Sequence, residues 1–313
     1  MISTKLASIG LAASLAAILP AVSAQALAPR TFVSAAGTDN STCSFAAPCR
    51  HFQAAVDATS DGGEVDALDP AGYSPITISR GVTIEGQGWS YIAPPANGAA
   101  ITINAVSGKV TIRGVSLNGV GVSQAIGIEF NSGASLNVQN SVIENFSRYG
   151  ILYQPNASSN LSVSNTVVSD NNYGIYIGPL GTGTANGVLD HVHTDNNTND
   201  GITVTTVNSF VQIVIRDSVI SDNGGTGVVV TTSSPSEQAV HVTVRSSTIA
   251  NNGNFGLVVG GGSGGSTLTV SRSTIAGNAN GGWNVTTNAL LNSYSDNIND
   301  TGNVHPTQNI TYE

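Results

Sequence analysis

The chain has 313 residues, of which 19 are acidic and 10 are basic, and its formal net charge is −9 at neutral pH. This excess of negative charge disfavours nucleic acids and other polyanions as partners. Charged residues make up only 9% of the chain, but the regular recurrence of β-branched residues argues against disorder.

The N-terminal 24 residues have the pattern of a secretory signal peptide. Lys5 precedes an apolar run over Leu6–Leu19, and small residues at Val22 and Ala24 provide a cleavage site. The run is too short to span a membrane, and no later stretch of the sequence is apolar enough to do so. We therefore expect an exported protein, either secreted or periplasmic.

Residues 25–63 are expected to form an N-terminal cap. Cys43 and Cys49 are the only cysteines, and a short loop separates them, which in an exported protein favours a disulfide bond between the two. The segment Cys49–Ala58 is the one convincing helix in the sequence, with Phe52 and Ala55 on its apolar face. We expect this short helix to close one end of the structure that follows.

Residues 64–291 contain a degenerate repeat whose clearest copy is Val244–Val259. A glycine opens the last strand of each copy, and these glycines are 23 to 29 residues apart, at positions 127, 150, 174, 201, 227, 256 and 282. Each copy holds three short apolar alternations separated by Asn, Asp, Gly and Ser, which indicates three strands and three turns. Stacking such coils pairs each strand with its counterpart one repeat away, so the sequence predicts a parallel β-helix.

This pattern resembles the right-handed, pectate-lyase-like β-helix family of secreted bacterial proteins. The resemblance covers about residues 31–298 and includes the segment Pro-Cys-Arg-x-Phe-Gln-x-Ala that begins at Pro48. It implies an all-β fold, a right-handed single-stranded parallel β-helix with a short N-terminal capping helix. Residues 292–313 are mostly polar and are expected to form a C-terminal cap or tail. The fold alone does not specify a chemistry.

Aligning the copies predicts which side chains face inward. An apolar column runs through Val138, Val163, Val188, Ile215, Val244 and Val270. Counting from this column places His191 and His193 inside the coil. Two histidines at i and i+2 on one strand suit a metal site, whereas burial among Ser and Thr hydroxyls would make them structural. A register shift of one residue would turn both outward.

One turn carries a column of acidic and amide residues, namely Asn145, Asp170, Asp195, Asp222 and Asn251. Carboxylates about 4.8 Å apart on successive coils repel unless they share a cation, and oxygen-only ligands suit Ca²⁺. The sequence therefore suggests a Ca²⁺ site at Asp170, Asp195 and Asp222. The alternative is that these residues accept backbone hydrogen bonds in tight turns, beside an amide ladder at Asn171, Asn196, Asn223 and Asn252.

Enzymes of the family that the chain resembles carry their chemistry outside the strand that follows the repeat glycine. The outward row of that strand here is Glu129, Leu152, Tyr176, Thr203, Val229, Val258 and Asn284. Sugar hydrolysis needs two carboxylates and lysis of sugar acids needs a strong base, so this row predicts no catalytic residues. Tyr176 and Glu129 are the candidate substrate-binding residues, because an exposed aromatic ring offers a surface for a sugar.

The sequence favours an exported, non-catalytic, monomeric β-helix protein that binds polysaccharide or associates with the cell envelope. Ca²⁺ is the one candidate cofactor. Two alternatives stay open. A polysaccharide lyase or glycoside hydrolase with an atypical site would need side chains that converge from different coils, and Asp190, Asp195 and Glu129 are the candidates. A structural or adhesive module would need partners or further repeats.

Overall fold

The computed structural model of the chain describes residues 26–233, 240–261, 265–300 and 306–310, and the predicted signal peptide lies outside these ranges. Within them the chain consists almost entirely of short parallel strands, with one helix, α1, at Phe52–Ala58. The strands form a right-handed solenoid of about 8 turns. The prediction of an all-β parallel β-helix is therefore confirmed.

The described strands belong to two parallel sheets. The first sheet has nine strands, which follow the repeat glycines or the equivalent positions of the early coils: β4 (Ile76–Ile78), β6 (Ala99–Asn104), β8 (Ile126–Ser132), β11 (Tyr149–Tyr153), β13 (Tyr173–Ile177), β15 (Ile202–Thr206), β18 (Val228–Thr232), β21 (Phe255–Gly261) and β24 (Gly281–Val285).

The second sheet bends around a corner and takes up to two strands from each coil, 18 in the described ranges. They are β1 (Ala28–Val33), β2 (Thr59–Ala67), β3 (Ala71–Gly72), β5 (Val82–Ile92), β7 (Lys109–Asn118), β9 (Ser135–Gln139), β10 (Val142–Glu144), β12 (Ser159–Ser169), β14 (Thr184–Asp195), β16 (Phe210–Arg216), β17 (Val219–Ser221), β19 (Val240–Arg245), β20 (Thr248–Ala250), β22 (Ser266–Ser271), β23 (Thr274–Ala276), β25 (Ala289–Tyr294), β26 (Ile298–Asn299) and β27 (Gln308–Ile310). Parallel pairing thus continues past residue 291, where the sequence placed the start of the tail.

Each regular coil turns at two residues with left-handed backbone. The first corner has φ of 47–53° and is formed by Asn140, Asn165, His191, Asp217, Ser246 and Arg272. The second corner has φ of 56–66° and is formed by Asn145, Asp170, Asn196, Asp222, Asn251 and Gly277. Asn and Asp dominate because their short polar side chains tolerate this conformation better than other non-glycine residues do.

A row of buried asparagines runs through the interior next to the second corner, at Asn171, Asn197, Asn223, Asn252 and Asn278. From Asn197 onward, each amide nitrogen donates to Oδ1 of the next asparagine at 2.8–2.9 Å. Each Oδ1 from Asn197 to Asn278 also accepts the backbone N–H of the asparagine one coil earlier. This amide ladder satisfies polar groups that would otherwise be buried without partners.

Close packing inside the coils requires the repeat glycines, because added Cβ atoms would meet neighbouring backbone and side chains and, from Gly150 to Gly256, the amide ladder as well. A Cβ atom at Gly201 would lie 2.8 Å from Asn223 Nδ2, and one at Gly227 would lie 2.9 Å from Asn252 Nδ2. These glycines do not have left-handed backbone, so the constraint is space and not conformation. The glycine spacing that reveals the repeat in the sequence therefore marks the closely packed start of each strand of the nine-stranded sheet, which from Gly150 to Gly256 lies against the ladder.

The predicted register is wrong by one residue in β14. Leu189, not Val188, pairs with Val163 and Ile215 in the buried apolar column, and Val188 is exposed. His191 consequently lies at the first corner and His193 faces solvent, while Val192 and Thr194 take the two inward positions. Since Val188 and Leu189 are both apolar, the alternation alone does not distinguish the two registers.

The same shift moves two other predicted residues. Asn196 occupies the second corner in place of Asp195, and Asn197 occupies the amide ladder in place of Asn196. Asp195 is the last residue of β14 and pairs with Ser221. The predicted column of three stacked aspartates is therefore interrupted by an asparagine.

Helix α1 closes the N-terminal edge of the nine-stranded sheet. The Gln53 side chain accepts the Thr77 N–H at 2.8 Å and donates to the Thr77 carbonyl at 3.3 Å, so it replaces the strand that would otherwise precede β4. The predicted disulfide between Cys43 and Cys49 is present in the preceding loop. No helix in the described ranges is long and apolar enough to cross a membrane.

Candidate functional site

The outer face of the nine-stranded sheet carries the row predicted from the sequence. Strand pairing places Glu129, Leu152, Tyr176 and Thr203 side by side on four successive coils. The row continues through Val229, Val258 and Asn284. It contains one carboxylate and no basic side chain, as the sequence predicted.

A second outward row consists of the residues immediately before the repeat glycines. Ile126, Tyr149 and Tyr173 are neighbours by strand pairing. Asp200 is next, because the backbone N–H of Gly174 donates to its carbonyl. The sequence analysis did not identify Asp200 or the other residues of this row. The position before each glycine is the signal that would have found it.

Tyr149, Tyr173 and Tyr176 form a tyrosine cluster on this face. The Tyr149 ring stacks on Tyr173 with centroids 5.5 Å apart and contacts Tyr176 at 5.3 Å with the planes tilted by 56°. Tyr149 and Tyr176 rest on an apolar base of Ala99, Ile126 and Leu152, which is separate from the core of the solenoid. All three rings remain partly exposed. They form an aromatic surface with polar hydroxyls at its margin.

Charged groups surround the tyrosine cluster. The Arg148 guanidinium lies 5.5 Å from the centre of the Tyr149 ring, within the range of a cation–π contact. Burial raises the pKa of Asp200, although its carboxylate accepts the Thr226 N–H and the Thr203 hydroxyl. Among the described residues, no hydrogen bond or ion pair engages the Glu129 carboxylate.

Burial also raises the pKa of the Tyr176 hydroxyl, and the nearby Tyr149 and Tyr173 hydroxyls raise it further. Tyr176 therefore stays protonated at any pH near neutrality, and its O–H remains available as a hydrogen-bond donor.

Two open grooves flank the tyrosine cluster. A groove of about 260 Å³ lies toward the cap, and its lining includes Gln53, Thr77, Ala99, Thr102 and Glu129. A groove of about 430 Å³ lies along the turns before β11 and β13, and its lining includes Asn145, Ser147, Asp170, Asn172 and Thr198. Ala99 belongs both to the first groove and to the base of the cluster. The groove toward the cap is therefore continuous with the aromatic surface, and Asn172 of the second groove directly precedes Tyr173.

The three residues of the suggested Ca²⁺ site are neighbours but do not form one column. Asp170 and Asp222 lie at the second corner of alternate coils, and Asp195 precedes the corner of the coil between them. Asp195 Oδ1 is buried without a hydrogen-bond partner. Burial raises the pKa of Asp195, and the charges of Asp170 and Asp222 add to this effect while His193 opposes it. Binding of Ca²⁺ here stays a prediction.

The corrected register brings His191 to the surface beside Asp190. His191 Nδ1 lies 2.8 Å from Asp190 Oδ1, and Arg216 donates to Asp190 Oδ2 at 2.7 Å. Burial would raise the pKa of Asp190, but the hydrogen bonds from His191 and Arg216 outweigh it and lower the pKa overall. Asp190 is therefore ionised at neutral pH.

The three carboxylates considered for catalysis do not converge. Glu129 lies on the nine-stranded sheet, whereas Asp190 and Asp195 lie on β14 of the other sheet. The other carboxylate on the face, Asp200, is three coils from Glu129, or roughly 14 Å at about 4.8 Å per coil. Glycosidases hold their two carboxylates no more than about 9.5 Å apart. Among the described residues, the face therefore lacks a carboxylate pair with hydrolytic spacing.

Comparison with known proteins agrees with the observed fold. Residues 99–241 match the family model described as the right handed beta helix region. The chain is a parallel β-helix repeat protein. No curated protein sequence matches this β-helix.

Several solved structures are similar to the β-helix. ORF18 of Geobacillus virus E2 has a TM-score of 0.51 and 12% identity, over 84% of this chain and 61% of the viral chain. Pectate lyase Pel9A has a TM-score of 0.45 and 16% identity, over 86% of this chain and 69% of the lyase. The A-module of Azotobacter vinelandii mannuronan C-5 epimerase AlgE6 has a TM-score of 0.46 and 14% identity, over 83% of this chain and 92% of the module. The similarity to ORF18, at 12% identity, shows the fold alone.

Proposed function

We propose that this β-helix is an exported protein that binds a neutral polysaccharide along the outer face of its nine-stranded sheet, without cleaving it. The observation that carries the proposal is the tyrosine cluster, in which the Tyr149 ring contacts those of Tyr173 and Tyr176 on an exterior surface beside an apolar base. Aromatic rings with polar edges suit ligands that have both apolar faces and hydroxyl groups, as sugars do.

The charge of the face favours a neutral ligand. Glu129 and Asp200 are both acidic, and the nearby cation, Arg148, lies over the Tyr149 ring. The whole chain has a formal net charge of −9. An anionic polysaccharide would meet repulsion from the protein as it approached.

The shape of the face favours an extended ligand. Groove and cluster together run from β4 to β15, which at about 4.8 Å per coil is roughly 24 Å. The Thr77 and Thr102 side chains provide hydrogen-bonding groups at the capped end, and Asn145 and Asn172 provide them beside the cluster. This length fits an oligosaccharide segment better than a single sugar.

The binding test uses affinity electrophoresis through gels that contain a panel of neutral and acidic polysaccharides. We expect the protein to be retarded by a neutral polysaccharide. Tyr149→Ala and Tyr176→Ala should each weaken binding by about tenfold, the effect of losing a contact worth about 1.4 kcal/mol. The matched control is Tyr91→Ala, which removes an exposed tyrosine on the other sheet. Equal retardation of all three variants would show that the tyrosine cluster is not the binding surface.

A second assay separates binding from cleavage. Any polysaccharide that retards the protein is incubated with it and examined for new reducing ends and for unsaturated products. We expect neither. Products that disappear in a Glu129→Gln variant would replace the binding function with a catalytic one, because Glu129 is the unpaired carboxylate of the groove.

A further inference from the structure

The corrected register places one histidine and two carboxylates together on the second sheet, away from the tyrosine cluster. A nitrogen of His191 and one carboxylate oxygen each from Asp190 and Asp217 all lie within 4.8 Å of one another. Among the described residues this is the only such group of three or more His, Cys, Asp or Glu side chains. We propose that these three residues bind Zn²⁺ or a similar divalent transition metal at the first corner of the solenoid.

The backbone holds two of the three ligands at fixed positions. His191 and Asp217 occupy the first corner on adjacent coils, with φ of 53° and 50°. Coil stacking sets their spacing at about 4.8 Å, and Asp190 directly precedes His191 on β14. Bonds from zinc to imidazole nitrogen and carboxylate oxygen are about 2.0–2.2 Å long. A cation between the three side chains therefore requires side-chain rotation but no movement of the coils.

The donor atoms select the type of metal. One imidazole nitrogen with two carboxylate oxygens suits Zn²⁺ and its neighbours in the first transition row. Ca²⁺ instead takes about six to eight oxygen ligands. The cluster thus differs from Asp170, Asp195 and Asp222, which offer oxygen alone. Three protein ligands leave a fourth position of zinc for water.

Arg216 competes with a metal for this cluster. Its guanidinium donates to Asp190 Oδ2 at 2.7 Å, on the carboxylate that also contacts His191. The side chains of His191 and Arg216 are 61% and 48% exposed, so both can rotate in solvent. Removing the positive charge of Arg216 should strengthen metal binding, because it removes both the repulsion and the competing partner of Asp190.

The test measures Zn²⁺ binding by isothermal titration calorimetry on the untagged protein. We expect a single class of site in the unmodified protein. His191→Asn should weaken binding by at least tenfold, since changes outside the ligand shell alone cost about 10–100-fold. Asn is the matched replacement because it occupies the same left-handed corner at Asn140 and Asn165. His241→Asn removes an exposed histidine on another coil and should leave the affinity unchanged.

Two further results distinguish the site from general cation attraction. Arg216→Gln should tighten Zn²⁺ binding severalfold, and excess Ca²⁺ should not displace Zn²⁺. Unchanged Zn²⁺ affinity in the His191→Asn variant, with a thermal unfolding midpoint equal to that of the unmodified protein, would overturn the proposal. So would displacement of Zn²⁺ by Ca²⁺. The cluster would then be an ion-pair network of the corner.

Discussion

Asn197 and Asn223 join adjacent coils through their side-chain amides, with Asn197 Nδ2 donating to Asn223 Oδ1 at 2.9 Å. The same oxygen accepts the Asn197 backbone N–H at 3.1 Å, and Asn223 Nδ2 donates to the Thr194 carbonyl at 2.9 Å. Both residues are 1% exposed. Each asparagine therefore serves two coils at once, and water cannot replace it.

Removing one rung of the amide ladder should destabilise the solenoid strongly. We expect Asn223→Ala to lower the free energy of unfolding by about 3 kcal/mol, because it leaves buried donors on Asn197 without an acceptor. Equilibrium urea unfolding measures the change. The control is Asn254→Ala, which removes an amide acceptor at the surface that serves Asn280. A similar loss in both variants would mean that burial of the ladder is not what makes it important.

Two inward-facing residues of β14 break the pattern of the other coils, because an aliphatic residue stands in a column of hydroxyls and a hydroxyl residue stands in an aliphatic column. Val192 interrupts a column of hydroxyls formed by Ser141, Thr166, Ser218, Ser247 and Ser273, most of which accept a backbone N–H from the previous coil. Thr194 interrupts an aliphatic column formed by Ile143, Val168, Ile220, Ile249 and Ile275, and its hydroxyl is buried without a partner.

Restoring both columns should stabilise the protein. Val192→Thr supplies an acceptor for the Thr166 N–H, and Thr194→Val removes the unpaired hydroxyl. We expect each change to add about 1 kcal/mol to the free energy of unfolding, and the double variant to exceed either one. Val168→Thr is the control, since it buries a second hydroxyl in the aliphatic column and should destabilise. Thermal and urea unfolding both report the effect, and a loss of stability in Thr194→Val would contradict it.

Asp195 should make stability depend on pH and on Ca²⁺. Its pKa in the folded protein is raised, chiefly by burial, so the folded state binds the proton more tightly than the unfolded state does. Ionisation of Asp195 therefore lowers the free energy of unfolding. This loss is absent below the pKa that Asp195 has in the unfolded chain, and it develops as the pH rises through the pKa that Asp195 has in the folded protein. Without Ca²⁺, Asp195→Asn should therefore raise the unfolding midpoint at pH 7 and have little effect near pH 3.

Added Ca²⁺ should reverse the ranking of the two unfolding midpoints at pH 7, so that the unmodified protein unfolds at a higher temperature than Asp195→Asn. If Asp170, Asp195 and Asp222 share the cation, Ca²⁺ raises the midpoint of the unmodified protein at pH 7 and leaves that of Asp195→Asn unchanged. Differential scanning calorimetry with EDTA and with added Ca²⁺ measures both quantities. Equal midpoints with and without Ca²⁺ in the unmodified protein would leave these residues as turn and strand-end carboxylates with no cation.

The fold could be predicted from sequence because its physical constraints repeat. The regular coils need a glycine where the chain packs closely at the start of each strand of the nine-stranded sheet, and they need Asn or Asp at most left-handed corners, so both recur at nearly constant spacing. The register of β14 could not be predicted, because Val188 and Leu189 are equally apolar. The hydroxyl and aliphatic columns could also have fixed the register of β14. Val192 and Thr194 break both columns, so this second pattern is missing there.

The candidate site was only partly visible in the sequence. Tyr176 and Glu129 follow from counting outward positions on single strands. The tyrosine cluster also requires Tyr149, from the row before the repeat glycine, to meet Tyr176, from the row after it. That contact depends on side-chain directions and on the twist between coils, which no alternation pattern encodes. The cluster of His191 with Asp217 was hidden by the error in register.

The Gln53 side chain has a consequence for self-association. It occupies both backbone groups of Thr77 that an incoming strand would need at the edge of the nine-stranded sheet. Unpaired edges of this kind recruit strands from other molecules. We expect Gln53→Ala to form concentration-dependent assemblies in sedimentation velocity experiments, with Gln139→Ala, a change away from that edge, as the control. At this end of the solenoid, we therefore expect one amide side chain to make the difference between a discrete molecule and an open-ended fibre.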